Sequence, residues 1–136
     1  MKSSLLVGIV AFAIGLGSQG TYVPIAWELS DQPKEQRIDI RFLNKTRRTL
    51  CIDEDNLPTS KGTMLYSRDR VALIVGGHHY AIRNFDPGHC EGGCTVRLPF
   101  GASISASIPY SEFSLPARMW HRKKKLVYPL NAQVCE

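Results

Sequence analysis

The segment Ile38-Asp39-Ile40-Arg41-Phe42 decides the fold class. Apolar and charged residues alternate along it without a break, so one face of an extended strand is apolar and the other is wet. A helix would need apolar residues three and four apart. The two-residue period returns at Ile104-Ser105-Ala106-Ser107-Ile108. Residues 71–75 are a continuous apolar run, followed by Gly76-Gly77 and then Tyr80, Ile82 and Phe85 with polar neighbours. Two strand-like runs about Gly-Gly read as a hairpin.

Further strands are expected at residues 49–53, at 95–99 with Val96 and Leu98 inward, and at 126–134. Residues 22–29 read as a possible first strand, and residues 30–36 are polar and broken by Pro33. The polar stretches 44–48, 53–62 and 86–90 read as turns and loops, and residues 109–113 as one helical turn. Seven or eight short strands in about 100 residues define an all-β chain, an immunoglobulin-like β-sandwich, with a small β-barrel as the alternative. The length of 136 residues fits one domain. Hydrophobic residues at 43% and charged residues at 21% exclude a disordered chain and a polytopic membrane protein.

The first twenty residues follow a different logic. Lys2 precedes an uncharged apolar stretch at 5–16, and the small residues Gly17, Ser18 and Gly20 follow. This is the layout of a secretory signal peptide. The apolar run is 12 residues, short of the roughly 20 a helix needs to span a bilayer. Cleavage is expected after Gly17 or Gly20; an uncleaved anchor is the competing reading. The chain thus divides into a signal peptide at 1–20, a lead-in at 21–36 and a β domain at 37–136. The location implied is periplasmic or secreted, with no transmembrane span after cleavage. Losing Lys2 leaves sixteen Lys and Arg against twelve Asp and Glu, a balance that favours encounters with anionic envelope polymers.

In an oxidising compartment the four cysteines, Cys51, Cys90, Cys94 and Cys135, read as two disulfides. Three connectivities exist, and the spacing favours Cys51–Cys135 with Cys90–Cys94. Glu91-Gly92-Gly93 lets a short clip close, worth about 2 kcal/mol on the chain-entropy model. Leu50 and Ile52 flank Cys51, so Cys51 faces outward; Cys135 is out of phase with Leu126, Tyr128, Leu130 and Val134 and does the same. Metal binding by Cys90 and Cys94 with His89 is the rival reading. It has one close pair where structural zinc sites use two, and a redox motif would have a two-residue spacer.

Candidate sites follow from residue chemistry. His121 leads into Arg122-Lys123-Lys124-Lys125, four cations that suit phosphate or sulfate groups; a solvated loop is the alternative. Trp120, Tyr110 and Phe113 are candidate aromatic contacts for a glycan or peptide, although such rings more often plug the end of a sandwich as core. His78 and His89 are weak metal candidates, and His78, His89 and Asp86 are the residues an enzyme would use. His78 and His79 are adjacent on a strand and point to opposite faces, so one ion cannot easily take both. Asn44-Lys45-Thr46 matches a glycosylation acceptor, a match common by chance. No motif for a catalytic residue or a cofactor stands in the sequence.

Residues 41–135 resemble a set of small uncharacterised exported proteins of proteobacteria. The resemblance is carried by Arg41-Phe42-Leu43-Asn44, Thr49-Leu50-Cys51, Gly93-Cys94-Thr95, Ile108-Pro109-Tyr110-Ser111-Glu112-Phe113 and Cys135. It implies a periplasmic or secreted home and a two-disulfide β domain, with no activity, cofactor or catalytic residue attached. Those proteins have a small acidic or neutral segment before the last strand, where this chain has Arg122 to Lys125. The reading reached is a non-enzymatic binding or interaction protein of the cell envelope. Its partner would be a protein or glycan, or an anionic polymer, but not nucleic acid. A metal-dependent or hydrolytic enzyme and a purely structural envelope component are the alternatives.

Overall fold

The computed structural model describes residues 21–63, 70–82 and 94–135. Within them the chain forms β1 (Tyr22–Pro24), β2 (Ala26–Gln32), β3 (Arg37–Leu43), β4 (Leu50–Asp53), β5 (Ala72–Val75), β6 (His78–Ala81), β7 (Thr95–Leu98), β8 (Ser103–Pro109), β9 (Lys124–Val127) and β10 (Asn131–Val134). They pair antiparallel in three sheets, ordered β1-β10-β4-β7, β2-β3-β8 and β6-β5-β9. The chain is all-β and fits a sandwich; no closed barrel forms among the described residues.

The alternating segment becomes β3, at the centre of its sheet. Phe42 stands between Trp27 and Ile104, Ile40 between Leu29 and Ala106, and Ile38 between Asp31 and Ile108. One continuous apolar face results, with Asp31 at its end. Ile38, Phe42, Ile52, Leu73, Val75 and Ile108 are fully buried, and Phe42 meets the ring of Tyr128 edge-on at 5.1 Å. On the outer face Arg41 pairs with Glu28 at 2.8 Å and Arg37 with Asp39 at 2.9 Å. Both pairs are exposed and contribute at most about 1 kcal/mol each.

There are ten described strands rather than seven or eight because the chain changes sheets at two corners. Residues 22–32 are extended almost throughout, but Ile25 breaks the run. Its buried side chain turns inward and its N–H donates to the Leu130 carbonyl at 3.0 Å, so β1 joins β10 while β2 joins β3. The expected last strand divides the same way around Pro129, which has no N–H for a ladder. The lead-in at 21–36 is thereby woven into two sheets. Residues 109–113 do form one turn, a 3-10 turn at Tyr110–Phe113.

The hairpin at Gly76-Gly77 forms as expected, with φ of 56° and 78°. Positive φ at both residues suits the twist of the flanking strands. A Cβ at Gly76 would lie 2.9 Å from a guanidinium nitrogen of Arg122. Asn44 is buried: its amide donates to the carbonyls of Arg48 at 2.7 Å and Leu98 at 2.8 Å. Its Oδ1 accepts from the N–H and hydroxyl of Thr46. The apparent glycosylation acceptor is a turn-forming hub whose nitrogen is already occupied.

Cys51 and Cys135 are disulfide-bonded, with Cα atoms 5.5 Å apart across β4 and the end of β10. Leu50 and Ile52 are buried on either side, so the phase argument holds. Cys94 is disulfide-bonded too; Cys90, its expected partner, lies outside the described residues. Among the described residues no helix is long and apolar enough to cross a membrane.

Candidate functional site

The basic run is not one patch. Lys124 has the parity of Leu126 and Tyr128 and points inward with them. Its side chain is completely buried, and its ammonium donates to Asp31 Oδ2 at 2.6 Å and to the carbonyls of Trp120 at 2.6 Å and Arg122 at 3.0 Å. All three protons are used, and the nitrogen sits 4.8 Å from the centre of the Tyr110 ring. Lys124 is therefore not an anion ligand, because its charge is spent on internal partners. Arg122, Lys123 and Lys125 remain exposed. Arg122 lies over the Gly76 turn, and Lys125 stands across from Ile74 on the outer face of its sheet.

The aromatic set falls on its core reading. Tyr110 and Phe113 are each 1% exposed and belong to the core. Trp120 is partly buried, its indole N–H donating to the Leu115 carbonyl at 3.2 Å. What sequence reasoning missed is the cluster these residues build. The Tyr110 hydroxyl donates to Asp31 Oδ1 while Lys124 holds Oδ2, so one carboxylate joins the strand β2, the turn after β8 and the start of β9. The signal was present: Asp31 continues the inward phase of Trp27 and Leu29, as Lys124 does that of Leu126.

Burial raises the Tyr110 phenol well above its ordinary value of 10.0, and the facing Asp31 carboxylate adds to the shift. Burial does the same to Tyr128, whose hydroxyl donates to the Asn56 carbonyl at 2.6 Å. A raised folded-state pKa stabilises fully below the unfolded value and is lost as pH climbs past it. Stability is therefore expected to fall above pH 10. In an ultraviolet titration these two phenols should ionise only together with unfolding. Their smooth titration in the folded chain would contradict the buried arrangement.

His78 and His79 are both exposed on β6, opposite Val75 and Ile74. His89, Asp86 and Cys90 lie outside the described residues, and so does the enzyme constellation built on them. Among the described residues no three His, Cys, Asp or Glu side chains converge on a metal position.

Two open grooves cover the outer sheet faces. One, of about 460 Å³, lies over β2-β3-β8. Its charges are paired with one another: Arg41 with Glu28, Arg37 with Asp39, and Ser107 to Asp39 at 2.6 Å. The other, of about 450 Å³, lies over β1-β10-β4-β7 and is floored by the Cys51–Cys135 link. Cross-strand register lines up Tyr22, Gln133, Cys51 and Arg97. Asp53, Asn56, Thr95 and Asn131 complete the polar lining, and Tyr22 stands 69% exposed at one edge. Asn131 and Gln133 take part in no side-chain hydrogen bond among the described residues. Amides that donate and accept, a carboxylate and an open aromatic ring are suited to hydroxyl groups and to the apolar faces of sugar rings. The volume is within the range of small-ligand sites. Comparison with protein-family models, curated proteins and solved structures found no significant match.

Proposed function

We propose that the chain is an exported, non-enzymatic binding module of the cell envelope that takes a glycan strand on the outer face of β1-β10-β4-β7. The observation that carries this reading is the groove over the Cys51–Cys135 disulfide, with Asn131, Gln133 and Asp53 inside it and Tyr22 at its rim. Export is supported by the signal-like residues 1–20 and by the disulfide, which belongs to an oxidising compartment. The resemblance of residues 41–135 to small exported proteins points the same way. A covalent tie beneath the face keeps it pre-shaped, so little ordering opposes binding.

Calorimetric titration with oligosaccharides released from envelope polymers tests this. Tyr22→Ala and the pair Asn131→Ala/Gln133→Ala should each weaken binding at least about ten-fold, the loss of one or two well-placed contacts. Lys123→Ser should leave it unchanged. Equal binding by all variants would remove the groove from consideration.

A further inference from the structure

Two arches stand side by side at one end of the sandwich. Residues 44–49 carry the chain from β3 to β4, and residues 99–102 carry it from β7 to β8. Asn44 clamps them together: its N–H donates to the Ala102 carbonyl at 3.1 Å, and its carbonyl accepts from the Gly101 N–H at 3.0 Å. Its buried amide holds Arg48 and Leu98 as described above.

Phe100 stands at the apex of the second arch, 64% exposed. Gly101, at φ 75°, lets the turn close through Ala102 N–H to the Pro99 carbonyl at 3.0 Å. The ring is thus held out by the backbone. Lys45, Arg47 and Arg48 are exposed on the adjoining arch, and Arg97 is exposed just before the second. Neither arch contains an acidic residue; Glu136, next to Cys135 in sequence, lies outside the described residues.

The chain also enters the fold at this end. The Thr21 carbonyl accepts from Val134 N–H at 3.0 Å, one residue from the bond of Cys135 N–H to the Thr49 carbonyl at 3.2 Å.

An exposed ring on a rigid apex, flanked by cations, suits a medium that is apolar beneath and anionic at its surface. We propose that this end docks on an anionic lipid bilayer, with Phe100 entering the interface and Lys45 and Arg47 meeting lipid phosphates. A dissolved polyanion would use the cations but not the ring. The proposal rests on the envelope reading for its setting, and its test is independent of the glycan groove.

The processed chain is floated with phosphatidylglycerol–phosphatidylcholine vesicles and with phosphatidylcholine alone, at low ionic strength. It should bind the first and not the second. Lys45→Ser/Arg47→Ser should weaken binding about 25-fold, at roughly five-fold per cation, and Phe100→Ser at least about five-fold. Tyr22→Ala and Lys123→Ser/Lys125→Ser should bind like the parent, which separates failure here from failure of the groove. A second measurement uses Phe100→Trp, whose emission should shift to the blue and be quenched by bromine-labelled lipid tails. Indifference to Phe100→Ser, or no quenching at position 100, overturns the proposal. So does heparin binding of equal strength by the parent and Phe100→Ser without vesicle binding, which would mark a polyanion site.

Discussion

Replacing Cys51 and Cys135 by serine should lower the unfolding free energy by about 4.5 kcal/mol, the chain-entropy value for the loop that the bond closes. That loop spans 84 positions. Small domains have about 5–15 kcal/mol in total, so the loss is a large share, equal to about 18 °C of melting temperature at this size. The effect acts through the unfolded chain. Leu50 and Ile52 still bury on either side of position 51, and β4 still pairs with both β10 and β7. The far-ultraviolet spectrum in the cold should therefore match that of the parent while thermal and denaturant midpoints drop. A loss below about 1 kcal/mol would mean that the tie adds little to what the sheets already hold, a result the loop model does not allow.

The second large effect is expected at Lys124. Lys124→Met should destabilise by about 3 kcal/mol, or roughly 12 °C, because it leaves the Asp31 carboxylate and two carbonyls without their donor. Asp31 keeps 28% of its side-chain exposure, so water relieves part of the penalty and the figure sits at the low end of what a broken buried pair costs. Lys123→Met, on the exposed neighbour, should change stability by less than about 0.5 kcal/mol. The pair is separated from packing by a double-mutant cycle. Asp31→Leu with Lys124→Met should be more stable than Lys124→Met alone, since no unpaired charge then remains. It should still fall short of the parent, because the Tyr110 hydroxyl has lost its Asp31 acceptor and keeps only the Trp120 carbonyl at 3.5 Å. Additive effects in the cycle would show that Asp31 and Lys124 do not act as a pair.

These two sites show how much could be read before the structure. Alternation in β3 and β8 is a local property, and both strands formed where the pattern placed them. The Cys51–Cys135 link followed from the cysteine spacing, with the same phase rule as a weaker second argument. Lys124 was readable by that rule too, but four cations in a row look like a solvated loop until the strand is known to begin at Lys124. A strand gives consecutive residues opposite faces, so Lys124 is the one member of the run driven inside.

The corners were less legible. Whether residues 22–32 are one strand or two depends on what they pair with. β10 and β3 take them from different sides of the break at Ile25, and both contacts are distant in sequence. The groove over the disulfide was hidden for the same reason. Tyr22, Cys51, Thr95 and Asn131 come from four strands spread along the whole domain, so no window of sequence contains it. Only the outward amides Asn131 and Gln133, alternating with Ala132 and Val134, left a local trace.

The central claim is that the chain crosses into an oxidising compartment and is stapled there. Its most direct test is the intact mass of the natively recovered protein, denatured and treated with a thiol-blocking reagent without reductant. The expected mass lacks the first seventeen or twenty residues and carries no blocking group. A full-length chain with all four cysteines blocked would contradict both the export and the staple.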